Sequence, residues 1–165
     1  MSSRMGQVHN PVQIAQKARE AFHRYGNCAQ ASFAVLQEEF NLDHAVILKA
    51  LGPLPGIAVR GETCGAVIGC LLSLGLALGS DELGKWWRSS LPPAREFCRL
   101  FEDEHGSTAC GTLLQTKLGH RCDFTDPEDV ARYVSAGGPQ ACTEVVASAA
   151  RLAGSIIVGR LYAPV

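Results

Sequence analysis

Residues 62–78 read ETCGAVIGCLLSLGLAL, a run uncharged after Glu62 in which Gly65, Gly69, Ser73 and Ala77 recur at every fourth position. That spacing gathers small side chains into one stripe of a helix, and such a stripe lets a second helix approach closely. The apolar stretch between Glu62 and Asp81 is about 16 residues, short of the roughly 18 expected of a membrane span, so it reads as a buried core helix. A buried helix needs others around it. Apolar residues do recur at helical spacing in most of the chain, whereas the alternating Val, Ile, Thr and Tyr runs of strands are nearly absent. The expected fold is therefore all-α: a single compact multi-helix domain of about seven or eight helices over residues 11–165, behind a flexible tail of residues 1–10.

Working outward, Gly52, Pro53, Pro55, Gly56 and Gly61 make the preceding stretch a loop. A first helix starts at Pro11 and stops at Gly26, and Asn27 caps a second that begins at Cys28, with Glu38 and Glu39 facing solvent. Asp43 caps a short third helix to Leu51. On the other side, Gly84 to Ser90, with Trp86 and Trp87, reads as a connection, and Pro92 and Pro93 open a helix to Gly106. Ser107 or Thr108 caps the next, which stops near Gly119. Asp126, Pro127, Glu128 and Asp129 combine a cap, a preset φ and favourable charge at the positive end of a helix to Ala136, and a last apolar helix follows Gly137, Gly138 and Pro139.

The chain has 165 residues, with 15 Lys and Arg against 16 Asp and Glu. Near-neutral charge excludes an electrostatic nucleic-acid binder. The first ten residues carry Arg4 without an apolar core behind it, so no signal peptide is expected and the expected compartment is the cytoplasm. Seven cysteines are the compositional excess: Cys28, Cys64, Cys70, Cys98, Cys110, Cys122 and Cys142. A reducing cytosol disfavours permanent disulfides, and an odd number cannot pair completely within one chain, so metal ligation or redox-active thiols are the better readings.

No CxxC occurs, which argues against a thioredoxin pair, a zinc ribbon or c-type haem attachment. Any shared site must be assembled by the fold. The helix reading places Cys28, Cys64, Cys110 and Cys142 at the starts of four helices, where unpaired N–H groups and a partial positive charge favour a thiolate. Cys70 and Cys98 fall inside helices and read as core side chains. Other chemistry gains little support: the five histidines show no HExxH spacing, His120-Arg121-Cys122 suggests at most an accessory metal pair, Glu102-Asp103-Glu104 reads as solvated charge, and the glycine-rich loop lacks a phosphate-loop lysine.

These segments resemble the C_GCAxxG_C_C family of redox-active proteins over nearly the whole chain. Cys64-Gly65-Ala66-Val67-Ile68-Gly69 is its CGAxxG motif, preceded by Gly61-Glu62-Thr63. Asn27-Cys28-Ala29-Gln30 resembles its first cysteine motif, Ser107 to Leu114 its third segment, and Ala141-Cys142 its fourth. The resemblance implies redox function through Cys28, Cys64, Cys110 and Cys142, with Cys122 as an additional candidate ligand. Similarity of some relatives to haem-containing electron carriers implies an iron–sulfur cluster, although this chain, lacking CxxCH, should carry no covalent haem. Arg60 and Glu62 flank the motif and could tune it, or could be solvated loop charges.

The leading expectation is an electron carrier or oxidoreductase whose four thiolates bind an iron–sulfur cluster, all-cysteine ligation being normal for such clusters. A metal-free dithiol–disulfide protein using the same residues is the alternative. A structural zinc module or helical interaction protein is a third, although zinc usually recruits a close ligand pair. A redox partner is implied, and a homodimer could form through Trp86 and Trp87 or the apolar last helix.

Overall fold

The computed structural model describes residues 9–42 and 45–162. Residues 1–8 of the expected tail and the expected cap Asp43 lie outside them. Nine right-handed helices form among the described residues, and no strand does. They are α1 (Pro11–Tyr25), α2 (Cys28–Phe40), α3 (Ala45–Ala50), α4 (Gly65–Leu78), α5 (Trp86–Ser89), α6 (Leu91–His105), α7 (Cys110–Leu118), α8 (Pro127–Ser135) and α9 (Gly138–Leu161). The ninth is the single turn α5, inside the segment expected to be a connection.

Local chemistry sets most boundaries. The Asn10 side chain accepts from Val12 N–H, Pro11 supplies the first turn, and Gly26 ends α1 at φ 62°. His9 and Asn10 are thus part of the fold and not of a tail. Asp126 caps α8 by accepting from Glu128 N–H.

The start of α4 differs from expectation. Glu62 and Thr63 lie outside the helix and Cys64 is its N-cap, because Thr63 pairs with Ala109 in an isolated antiparallel bridge. Cys64 N–H donates to Thr108 carbonyl at 2.8 Å, Cys110 N–H to Glu62 carbonyl at 2.6 Å, and Gly111 N–H to Gly61 carbonyl at 2.9 Å. The same ladder moves the cap of α7 from Ser107 or Thr108 to Ala109, whose N–H the Ser107 hydroxyl accepts.

The loop before α4 contains one turn, Gly56–Val59, that winds left-handed, with φ of 56°, 50°, 55° and 55°. Glycine takes this region freely, whereas Ile57, Ala58 and Val59 each bring a Cβ toward their own carbonyls. Ala58 N–H donates to Pro53 carbonyl, Val59 N–H to Pro55 carbonyl and Arg60 N–H to Gly56 carbonyl, so the surrounding chain holds the turn.

Helix α9 runs through the centre, packed along α1, α2, α4 and α6. Gly154 gives Ile14 of α1 its place, since a Cβ there would meet Ile14 Cδ1 at 2.7 Å. Phe97, Phe101, Leu74, Val146 and Ile157 fill the space between helices. α9 is also the one described helix long and apolar enough to cross a membrane, at 24 residues and mean hydropathy 1.5, and 61% of that window is buried inside the protein. Burial on this scale describes a core helix. Trp86 and Trp87 stay exposed, the latter under the Arg88 guanidinium at 4.8 Å.

Glu39 corrects a further expectation. It is 8% exposed, with His9 Nδ1 at 2.9 Å and Lys17 Nζ at 2.6 Å from its two oxygens. Glu38 does face solvent.

Candidate functional site

Three devices bring helix starts together. The bridge sets the starts of α4 and α7 side by side. Asn27 spends its carbonyl oxygen on Ala29 and Gln30 N–H, capping α2, and its amide on Gly52 carbonyl at 3.0 Å, tying α2 to the loop before the left-handed turn. Gly65 closes the gap: a Cβ there would lie 2.5 Å from Cys28 Sγ and 3.0 Å from both Ala29 N and Pro55 Cα.

Cys28, Cys64, Cys110 and Cys142 consequently line one small void, together with Leu113, Leu114, Lys117, Ala141 and Val145. Cys28 and Cys110 are the first residues of their helices and Cys64 is an N-cap, whereas Cys142 sits a full turn into α9. Cys70 is fully buried in α4, as expected, while Cys98 on α6 is half-buried at the core's edge. Cys122 stands apart from the void, its thiol donating to Asp129 carbonyl at 3.6 Å. Arg60 and Glu62 pair with each other at 3.2 Å on the surface. His120 turns Nδ1 to Leu118 carbonyl.

The four thiols are not equivalent. Cys28 is held below the usual thiol pKa, chiefly by the Cys64 thiol, which donates to its sulfur, and then, against the cost of burial, by the N–H groups of Cys28 itself, Gly65 and Ala66. No side chain caps α4. Cys28 sulfur lies against this start, so close that a Cβ at Gly65 would meet it, and the starts of α2 and α4 both present their positive ends to it. Cys64 is correspondingly pushed up, by the hydrogen bond it gives to Cys28, by burial and by repulsion from that sulfur. Burial raises Cys110 to about 12. Burial also raises Cys142, partly offset by the Tyr133 hydroxyl, which donates to its sulfur at 3.3 Å.

Tyr133 is a site residue that sequence reasoning missed. Its ring lies flat against Gly138, where any Cβ would overlap it, and edge-on to Phe124 at 5.1 Å. The Gly137-Gly138 pair was the only signal in the sequence, and it reads equally well as a helix boundary. Lys117, on the void wall, carried no signal at all.

An iron–sulfur cluster does not fit the sulfurs as they stand. Among the described residues no three His, Cys, Asp or Glu side chains are placed to hold a metal ion. The void they share is small, about 30 Å³.

Outside the void, a cleft of about 420 Å³ opens over Cys28, Cys110 and Cys142. Cys64, which lines the void, does not line this cleft.

No curated protein and no solved structure matches the chain. The family model described as "Putative redox-active protein (C_GCAxxG_C_C)" matches residues 26–156, from the residue before Asn27 to the middle of the last helix. The chain belongs to the C_GCAxxG_C_C family of redox-active proteins.

Proposed function

We propose that the protein is a thiol–disulfide redox protein that works without a metal, with Cys28 as nucleophile and Cys64 as resolving thiol. The observation that carries this is the convergence of two helix starts and the Cys64 thiol on one sulfur. A thiolate so stabilised forms more readily than that of a free cysteine, while its buried partner keeps its proton until needed. Cys28 thiolate attacks one sulfur of a substrate disulfide; the Cys28–substrate bond forms, the substrate S–S bond breaks, and the departing thiolate takes a proton from water. Cys64 then loses its proton and attacks Cys28 Sγ, forming the Cys28–Cys64 disulfide and releasing the second substrate thiol. Two electrons pass from the protein dithiol to the substrate, and an external dithiol reductant, the implied redox partner, returns them. The reducing cytosol, where such reductants act, belongs to the same proposal.

The test is thiol counting on anaerobically purified protein before and after mild oxidation. A reversible loss of two thiols, a Cys28–Cys64 linked peptide by mass spectrometry, and abolition of both in Cys28→Ser and Cys64→Ser support the reading. An unchanged count refutes it. So does coloured protein with iron and acid-labile sulfide that Cys64→Ser bleaches, which would restore the cluster expectation.

A further inference from the structure

The cleft over Cys28 has a chemistry of its own. Its walls are the rings of Phe22, Phe124 and Tyr133 together with Pro53, Pro55 and Val59. Among the described residues no Asp, Glu, Lys, Arg or His lines it. The polar groups that do reach it are committed: Asn27 to the start of α2 and to Gly52 carbonyl, the Tyr133 hydroxyl to Cys142 sulfur. A charged ligand entering would surrender its hydration and find no counter-charge, an expensive exchange. At about 420 Å³ the cleft lies within the range of small-molecule sites and is narrow for a folded protein segment.

One wall is the left-handed turn, which contributes Ala58 and Val59. Gly56 at its start packs on Cys110, since a Cβ there would lie 3.4 Å from Cys110 Cβ and 3.5 Å from its sulfur. The strained backbone thus holds an apolar side chain at the mouth of the cleft that opens over Cys28. Arg60 and Glu62, next to the turn in sequence, pair with each other on the outer surface, and Lys117 lies on the wall of the inner void and not of the cleft.

We propose that this cleft is the substrate site and that it takes a small, uncharged, apolar disulfide, aromatic or aliphatic, in preference to an anionic one. The proposal rests on Cys28 being the nucleophile, as argued above.

The experiment compares two aromatic disulfides of similar size on the full chain: neutral 4,4′-dithiodipyridine and the dicarboxylate 5,5′-dithiobis(2-nitrobenzoate). Rates at Cys28 are taken as the difference from Cys28→Ser, and the neutral-to-anionic ratio is divided by the same ratio for free N-acetylcysteine amide at the same pH. The expected normalised ratio is about tenfold or more, and Val59→Lys, placing a cation on the wall, should bring it back toward one. Lysine tolerates positive φ better than the β-branched valine it replaces, and a thermal melt verifies that this variant folds. A normalised ratio near one in the wild type, or a high ratio untouched in folded Val59→Lys, overturns the substrate assignment while leaving Cys28 as nucleophile. If Cys28→Ser consumes both reagents as fast as the wild type, the underlying redox reading fails, and the substrate assignment with it.

Discussion

Replacing Gly69 by alanine and Gly75 by alanine makes the same chemical change twice in α4 and should move stability in opposite directions. At Gly75, which is exposed, a Cβ finds nothing within 4 Å. Only the backbone-entropy gain remains there, about 0.5–1 kcal/mol in favour of alanine. At Gly69 a Cβ would overlap the Ser32 hydroxyl and the Ala29 carbonyl oxygen of α2 and lie 3.1 Å from Phe33 N. Carbon and carbonyl oxygen meet comfortably only at roughly 3.3 Å or more, so α2 and α4 must part by roughly 1 Å. The obstacle is backbone, which no rotamer change can move, so the overpacking cost sits toward about 3 kcal/mol, and the entropy gain returns about 1 of it. The net loss is about 2 kcal/mol. Thermal melts of reduced protein should fall by about 4–8 °C for Gly69→Ala and rise by about 1–4 °C for Gly75→Ala, at 2–4 °C per kcal/mol for a chain of this size. If both variants shift the same way, the close approach of α2 to α4 is refuted, and with it the placing of Cys28 over Gly65.

Three further outcomes follow. Ala58→Gly removes a Cβ from a left-handed position and should stabilise the chain by about 1 kcal/mol in urea unfolding; a loss would mean that the turn is not left-handed in solution. Cys110, raised to about 12, keeps its proton in the folded chain while the unfolded chain loses it from about pH 9 upward, so stability should fall across that window. Cys110→Ala should make the alkaline decline shallower, and an unchanged slope would count against burial of that thiol. Glu39, despite its burial, is held below the usual carboxylate range by Lys17 and His9, so its contribution is present above its unfolded pKa and is lost as pH falls through the folded one. Glu39→Gln should cost about 1–3 kcal/mol at neutral pH, and the gap to the wild type should close in acid; a gap independent of pH would show that the charge is not what Glu39 supplies.

What the sequence discloses and what it conceals divide along the range of the interaction. The start of α2 is legible because Asn27 is its own cap, and α8 because Asp126 and Pro127 are adjacent to it. The start of α4 is misplaced because Gly61 to Cys64 pair with residues of a segment far along the chain, and no local signal announces a bridge. Glu39 reads as solvated because its neutralising partners come from α1 and the residue before the α1 cap. The left-handed turn is invisible for a stronger reason: Ile57, Ala58 and Val59 argue against the conformation they adopt, and the hydrogen bonds that Ala58, Val59 and Arg60 N–H donate to the carbonyls of Pro53, Pro55 and Gly56 override them. The grouping of Cys28, Cys64 and Cys110 follows from their helix starts, with Cys142 joining them from a turn inside α9, but the difference between Cys28 and Cys64 does not. That difference depends on which sulfur faces the other helix's amides, a fact of packing alone.

The CGAxxG motif is better understood as half of a contact than as a cysteine with neighbours. Gly65 lies under Cys28 Sγ and Gly69 under Ser32 and Ala29 of the same helix, so positions four apart on α4 receive positions four apart on α2. Helices that interlock along their four-residue rows come closest where the residues are smallest, and the approach is close at both glycines and tighter at Gly69 than at Gly65. Alanine at Gly69 would part the two helices without meeting either sulfur, whereas alanine at Gly65 would run directly into Cys28 Sγ. A serine hydroxyl at position 32 is tolerated in the seam because it turns back to the carbonyls of Cys28 and Ala29 in its own helix and leaves no unpaired group against α4. The first cysteine motif and the glycine motif are therefore one device written in two places. The glycines set how near the positive end of α4 comes to a sulfur on α2, and that nearness adds to the larger effect of the Cys64 thiol in holding the Cys28 pKa down.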